Sequence, residues 1–169
     1  MNPMEGYLLD TNIASAAWDF GSPSHINVSQ RLKELGDAIV YVSAVTIAEV
    51  EFGLLTAPCI DLQRQSNVRS AMSNYEILYV DQHTAEEYAE IRAELFLAHS
   101  PKDRRGRLTK RFIEDLVDRT TGKELGIQEN DLWIVSVAKQ YNLIFVTNDR
   151  RMQKIIDAAE YSDRTVNWN

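Results

Sequence analysis

The chain has 169 residues, of which 44% are hydrophobic, and it carries a formal net charge of −7 at pH 7. The length predicts one domain with a sizeable core, and the negative charge argues against a nucleic-acid coat protein, which would carry a basic surface. No apolar run reaches the roughly 20 residues that a membrane-spanning helix needs. The one cysteine, Cys59, cannot form an internal disulfide, so we expect a cytoplasmic protein without a membrane partner.

Apolar runs alternate with amphipathic segments along the chain. The first run, at 7–9, ends on Asp10 and predicts a strand that is buried on both faces. The pattern then predicts helices at 12–20 and 24–35, a strand at 39–42, helices at 43–56 and 60–75, a strand at 77–80, helices at 81–98, 108–119 and 130–141, a strand at 143–146 and a short helix through 155–156. Strands that alternate with helices predict a three-layer α/β/α fold with a central parallel sheet of four to five strands.

Two acids follow predicted strands. Asp10 and Asp149 each come after an apolar run, and each stands beside a threonine and an asparagine. In open α/β sheets, ligands bind outside the carboxyl ends of the strands, so both acids are candidates for a binding site. The alternative is that Asp10 or Thr11 caps the following helix and that Asp149 only belongs to a turn.

Two further acids lie on predicted helices. Glu49 adjoins an apolar stripe, and a carboxylate at the edge of a packed face is costly unless it is paired or bound to a cation. The alternative is that the side chain of Glu49 extends into water and binds no cation. Asp131 lies at the start of the most apolar predicted helix. The alternative is that its charge only stabilises the positive end of the helix dipole, and Glu129 or Asn130 at the same helix end could take its place. The stripe beside Glu49 comprises Val45, Ala48, Phe52 and Leu55.

These four carboxylates would repel one another if they met in one site, unless a cation joined them. Hard oxygen ligands suit Mg²⁺ or Mn²⁺. The three histidines, His25, His83 and His99, lack any paired spacing of metal ligands, which argues against a zinc site.

Four segments, in this order along the chain, resemble those of PIN-domain ribonucleases, and in particular the VapC-type toxins of prokaryotic toxin–antitoxin modules. The segments are Asp-Thr-Asn at 10–12, Ser-Ala-Val-Thr-Ile-Ala-Glu-Val-Glu-Phe-Gly at 43–53, Asp-x-x-Ile-Val-x-x-Ala at 131–138 and Leu-Ile-Phe-Val-Thr-Asn-Asp at 143–149. Each segment is short, but the ordered set is specific. The resemblance implies a single PIN-like nuclease domain over 1–169.

The resemblance also implies a site and a reaction. Its acidic metal site, for Mg²⁺ or Mn²⁺ as a substitute, comprises Asp10, Glu49, Asp131 and Asp149. Asp131 is preferred to Glu129 because Ile134 and Ala138 then fit the family pattern. Residues that orient ligands or substrate are Thr11, Asn12, Thr147 and Asn148. The implied reaction is hydrolysis of single-stranded or structured RNA, transfer RNA among the candidates, by a metal-activated water.

The family further implies three partners besides RNA. These are a cognate antitoxin, a second copy of the chain in a homodimer, and operator DNA, which would be bound only through the antitoxin. None of these partners is visible in the residues themselves.

The sequence departs from the compact members of the family in two places. Met152 stands where an aromatic residue often follows the last motif, and the segment at about 100–129 is longer and more basic. The basic residues, with only Asp103 opposing them, are Lys102, Arg104, Arg105, Arg107, Lys110 and Arg111. They predict either a lobe that contacts RNA phosphates or a solvated loop and helix face.

Other functions remain as alternatives. A structure-specific DNA nuclease would use the same fold, and a non-catalytic module would bind RNA or a protein partner without cleavage. A haloacid-dehalogenase-like phosphatase also starts from an acid at a strand end, but its Asp-x-Asp pattern is broken here by Asn12. No glycine-rich loop follows a strand, so nucleotide-cofactor binding has no support.

Overall fold

The computed structural model describes residues 5–168, in which strands and helices alternate. The strands are β1 (Gly6–Leu9), β2 (Ile39–Ser43), β3 (Glu76–Leu78), β4 (Ile144–Thr147) and β5 (Thr165–Asn167). The α-helices are α1 (Thr11–Trp18), α2 (His25–Glu34), α3 (Ala44–Leu55), α4 (Leu62–Met72), α5 (Gln82–His99), α6 (Glu129–Gln140) and α7 (Gln153–Ala158). Short 3₁₀ turns occur at Ile113–Asp115, Arg150–Met152 and Ser162–Arg164. Among the described residues, no helix combines the length and the apolar character needed to cross a bilayer.

The described residues form two compact units. The first, which we call the sheet unit, comprises 5–79, 142–148 and 164–168, and the second, the helical unit, comprises 80–141 and 149–163. The sheet unit contains all five strands and α1 to α4, whereas the helical unit contains α5 to α7. Each unit is described below by itself, and the expectation of a single PIN-like domain stays a prediction.

The sheet unit is built on one parallel sheet with the strand order β3-β2-β1-β4-β5. The first strand of the sequence is central, with Leu9 paired to Val42 of β2 on one side and to Val146 of β4 on the other. Leu8 and Leu9 are fully buried, which explains why this strand is apolar at successive positions. The predicted α/β fold with a parallel sheet is therefore confirmed, and β5 supplies its fifth strand.

The core of the sheet unit packs α1 against this sheet. Trp18, Ile13 and Ala14 of α1 are buried with Leu9 and Val146. The ring of Trp18 meets the ring of Tyr75 edge-on, with centroids 5.5 Å apart. Because α1 begins at the residue after Asp10, the packing of this helix fixes the direction in which the strand-end carboxylate leaves the sheet.

The helical unit is organised by the packing of α5 on α6. The ring of Tyr88 stacks on that of Trp133 with centroids 3.8 Å apart and an interplanar angle of 8°. The guanidinium of Arg92 lies 5.2 Å from the centroid of the Phe96 ring and pairs with the carboxylate of Glu129. These contacts hold the first turn of α6 against α5.

The helix predicted at 108–119 is wrong. This segment contains only the 3₁₀ turn Ile113–Asp115, and residues on either side of it form isolated antiparallel bridges, Lys102 with Leu108 and Val117 with Glu124. Ile113 and Leu116 are buried, whereas Leu108 and Phe112 are exposed, the latter by 64%.

Turns stabilised by aspartate side chains flank this segment on both sides. Asp103 accepts hydrogen bonds from the backbone N–H groups of Arg105 and Arg107, and Asp118 accepts them from Thr120 and Thr121. Such local bonds favour turns. Within the segment, the backbone N–H of Asp118 donates to the carbonyl of Lys123 at 2.8 Å and not to a carbonyl four residues earlier, so the backbone bonding of a helix is lost there. The apolar spacing that predicted a helix does not register these contacts.

The predicted apolar face of α3 is also wrong. Phe52 and Leu55 are 67% and 71% exposed, whereas Thr46 and Val50 are buried against the sheet. Apolar residues occur all around this helix, so their spacing could not show which side the sheet would cover. Glu49 lies between the two faces and is half-buried.

Candidate functional site

Asp10 occupies the N-cap position of α1, but its side chain makes no capping hydrogen bond. Its carboxylate is instead buried, with 3% of the residue exposed, and its Oδ2 accepts a hydrogen bond of 2.6 Å from the hydroxyl of Thr147. The backbone N–H of Asp10 donates to the carbonyl of Val146 at 2.9 Å. The side chain of Asp10 is thus fixed at the carboxyl ends of β1 and β4, and the helix-cap alternative does not describe it.

Thr11 connects this strand end to α3. Its hydroxyl donates to Oε2 of Glu49 and lies 3.4 Å from the hydroxyl oxygen of Thr46. Thr46 is fully buried, and its backbone N–H donates to Oγ of Ser43 at 2.9 Å. A chain of hydroxyl groups therefore holds the carboxylate of Glu49 beside the first turn of α1.

Ser43 and Thr46 were not predicted as members of this site. The available signal was modest: a serine at the start of a helix with a threonine three residues later, a spacing that places both on the same side of the first turn. The sheet unit thus contains four of the predicted residues in two contacts: Thr147 with Asp10, and Thr11, the next residue along the chain, with Glu49.

In the helical unit, Asp131 lies in the first turn of α6. Its Oδ2 accepts a hydrogen bond of 3.0 Å from the backbone N–H of Gln128, as part of a reciprocal capping box. The helix-end alternative therefore describes one of its contacts. Glu129, the other acid at this helix end, forms an ion pair with Arg92.

Asp149 is held by Arg151. The guanidinium Nε lies 3.0 Å from Oδ1 and 2.9 Å from Oδ2, and the backbone N–H of Arg151 donates to Oδ1 at 2.9 Å. The hydrogen bonds from this guanidinium hold the pKa of Asp149 below its usual value, against the opposing effect of burial. Arg151 is a contact that the sequence analysis missed, because an arginine two residues after an acid is common in exposed turns.

The other predicted residues have mixed surroundings. Asn12 is exposed on α1, and Asn148 is half-buried at the end of β4. Of the six basic residues, Lys110 is half-buried and the remaining five are exposed. Arg107 forms an ion pair of 2.8 Å with Asp103, which partly neutralises the basic segment.

The described side chains offer donors for a metal ion but do not form a complete cluster of ligands. Among residues 5–168, no group of three or more Asp, Glu, His or Cys side chains is arranged to hold one. The donors present in the sheet unit are nonetheless of the right class, because Asp10 and Glu49 offer carboxylate oxygens with hydroxyl groups beside them. The convergence of all four acids stays a prediction.

Comparison with known proteins gives the family. The model of the PIN domain matches residues 7–157. Among curated protein sequences, none matches this chain significantly.

Solved structures share the fold over nearly the whole chain. The structure of FitAcB from Neisseria gonorrhoeae is 26% identical, with a TM-score of 0.61, and the match covers 96% of each chain. VapBC2 from Rickettsia felis, bound to a DNA fragment from its promoter, is 23% identical with a TM-score of 0.63 over 97% of this chain and 99% of that chain. DNA-bound VapBC from Salmonella typhimurium is 20% identical with a TM-score of 0.63 over 98% and 100% of the two chains. The family model spans most of the sequence and agrees with the fold, and the chain therefore belongs to the PIN domain family.

Proposed function

We propose that this chain is the toxin of a type II toxin–antitoxin module and acts as an endoribonuclease that depends on Mg²⁺, with Mn²⁺ as a substitute. Membership of the PIN domain family supports a nuclease. The match to VapBC complexes, one of them described as belonging to a family of toxin–antitoxin systems, supports the module. RNA is proposed as the substrate because the four sequence segments resemble those of PIN-domain ribonucleases.

The observation that carries the proposal is the environment of Asp10. A carboxylate that is removed from water, and that does not cap the helix it precedes, is costly unless a cation or hydrogen bonds compensate for it. Thr147 supplies one hydrogen bond, which also fixes the orientation of the carboxylate. A ligand to a hard cation needs this combination of burial and fixed orientation.

We assign the four acids Asp10, Glu49, Asp131 and Asp149 as the residues that would hold the cation. A bound Mg²⁺ supplies Lewis-acid chemistry at a phosphodiester. The chain itself contributes orientation, because Thr147 and Thr11 hold the carboxylates of Asp10 and Glu49 in place. The exposed basic residues of the 100–129 segment are proposed to contact phosphates of the RNA.

The proposed partners follow from the matched complexes. FitAcB, VapBC2 and the Salmonella VapBC structure support a cognate antitoxin. The promoter fragment in the Rickettsia structure supports operator DNA as a partner of the complex, and this chain is proposed to reach that DNA only through the antitoxin. A homodimer and action in the cytoplasm complete the proposal.

Cleavage assays with different nucleic acids test the function. The purified chain is expected to cleave single-stranded or structured RNA in the presence of Mg²⁺ or Mn²⁺, to leave a flapped DNA substrate intact, and to lose activity in EDTA. Cleavage of the flapped DNA alone would instead support the structure-specific DNA nuclease. RNA binding without cleavage in either metal would support the non-catalytic module. Growth arrest that is relieved by co-expression of the neighbouring open reading frame would establish the toxin role.

Arg151→Gln is expected to tighten the binding of Mn²⁺. The guanidinium occupies both oxygens of Asp149 and adds a positive charge beside them, and an ion pair that is more than half exposed on the arginine side is worth at most about 1 kcal/mol. Its loss should therefore lower the Kd for Mn²⁺ by up to about fivefold. Isothermal titration calorimetry measures this change.

Arg150→Gln is the matched control, because it removes the same charge from an exposed neighbour that forms no ion pair among the described residues. Equal effects of the two substitutions would indicate a general electrostatic contribution. No change in Arg151→Gln would contradict the placement of Asp149 in the metal site.

A further inference from the structure

A cleft of about 490 Å³ lies in the sheet unit between α2 and the carboxyl ends of β4 and β5. Its size is within the range of about 300–1,000 Å³ that small-molecule sites occupy. Its lining includes Asn27, Gln30, Arg31, Glu34, Asn148 and Trp168. Of these residues, only Asn148 is also one of the orienting residues predicted for the acidic site.

The lining has the chemistry of a site for a nucleobase. Trp168 and Val28 supply apolar surface, and an indole offers a face on which any base can stack. Asn27, Gln30 and Asn148 supply side-chain amides, each with donors and an acceptor that suit the edge of an unpaired base.

The charge of the lining argues for a base over a phosphate. Among the described residues that line the cleft, Arg31 is the cation and Glu34 is the anion, so their formal charges cancel. A site for an isolated phosphate would need an excess of positive charge. An uncharged aromatic ring with polar edges fits a neutral cleft that has an indole and three amides.

The cleft adjoins the carboxyl end of β4, whose last residue, Thr147, contacts Asp10. Asn148 lines the cleft and directly follows Thr147, whose hydroxyl donates to Oδ2 of Asp10 at 2.6 Å. The backbone N–H of Trp168 donates to the carbonyl of the same threonine at 2.9 Å. A base in the cleft would therefore belong to a nucleotide close to the phosphodiester at the acidic site.

We infer that this cleft, which we call the base cleft, holds one unpaired base of the RNA substrate and contributes to the choice of cleavage position. Trp168 stacks on the base, while Asn27 and Gln30 contact its edge. This inference rests on the proposed function for the identity of the substrate, but the binding of single-stranded RNA can be measured without cleavage.

Binding is measured on the Asp10→Asn background, where the RNA stays intact, by the fluorescence anisotropy of labelled RNA oligonucleotides of a single base type. Addition of Trp168→Ala is expected to weaken binding by about 5- to 100-fold, as loss of a stacking side chain does elsewhere. Trp168→Phe, which keeps an aromatic face, should recover most of the affinity. Asn27→Ala, at an exposed position, should change the order of preference among the four bases.

Lys33→Ala is the control, because Lys33 lies on α2 outside the lining of the base cleft and carries the same charge as Arg31. Thermal unfolding of each variant separates a lost contact from a lost fold, since Trp168 also packs against the core of the sheet unit. Unchanged affinity and base preference in both Trp168→Ala and Asn27→Ala would overturn the base cleft.

The outcomes also separate the two proposals. If the wild-type chain cleaves RNA while the Trp168 and Asn27 variants keep its cleavage positions and affinities, the base cleft is wrong and the proposed function stands. If the wild-type chain cleaves no RNA but the oligonucleotides bind through Trp168 and Asn27, the proposed function fails and the base cleft stands. A chain that binds none of the oligonucleotides would overturn the base cleft.

Discussion

Asp10→Asn is expected to reduce metal-dependent RNA cleavage by more than about 100-fold, because loss of a group that merely orients a metal ligand already costs 10- to 100-fold. The substitution keeps the shape of the side chain and leaves an oxygen that Thr147 can still donate to. It removes only the negative charge. Cleavage rates at saturating Mg²⁺, measured on the same RNA for both proteins, check this result.

The same substitution is also expected to leave the stability of the fold unreduced. Asp10 is buried, and burial of a charged carboxylate opposes folding to the extent that its hydrogen bonds do not compensate for it. In EDTA the Asp10→Asn variant should therefore unfold at the same temperature as the wild type or at a higher one. A fall in activity together with stable folding would show that the charge serves the reaction.

Asp37→Asn provides the matched control for this experiment. Asp37 is exposed in the connection between α2 and β2, so the same change in charge should leave both cleavage and unfolding unaltered. Full activity of Asp10→Asn would refute the assignment of the acidic site. Equal losses of cleavage activity in the two variants would indicate that the effect comes from the net charge alone.

Trp18→Ala should have the largest effect on stability, with a loss of about 3–5 kcal/mol in the free energy of unfolding. Trp18 is fully buried in the core of the sheet unit, where its ring packs on that of Tyr75. Removal of the indole leaves a cavity that rigid neighbours cannot fill. Urea unfolding followed by circular dichroism measures the loss.

Two further variants calibrate this measurement. Trp18→Phe should retain much of the stability because an aromatic ring still fills part of the space. Phe20→Ala, two residues later but 67% exposed, should change the free energy of unfolding by no more than about 0.5 kcal/mol. A Trp18→Ala variant as stable as Phe20→Ala would contradict the described core.

The fold class could be predicted from the sequence because strands buried on both faces leave a direct trace. Successive apolar residues in β1 and β4, each followed by an acid, indicated central parallel strands with polar residues at their carboxyl ends. The pairing of Leu9 with Val146 confirms that those two strand ends are adjacent. The local sequence pattern is sufficient to predict a strand that is buried on both faces.

The predictions from the sequence were wrong where the conformation or the buried face of a segment depends on contacts with distant residues. The helix predicted at 108–119 does not form: aspartate-stabilised turns flank the segment, and the backbone N–H of Asp118 donates to the carbonyl of Lys123 instead of within a helix. On α3, apolar residues surround the whole helix, so only the position of the sheet decided that Thr46 faces inward while Phe52 faces outward. The spacing of apolar residues indicates which faces of a helix could be buried, and tertiary packing determines which of those faces is buried.

Asp10 shows the division most clearly. The sequence by itself determined that a carboxylate follows a buried strand and precedes a helix, a position equally suited to a cap and to a ligand. Only the tertiary structure decided that this carboxylate accepts from Thr147, 137 positions away, and makes no capping hydrogen bond. The pairing of β1 with β4 places that distant hydroxyl beside Asp10, and no local pattern encodes the distance between them.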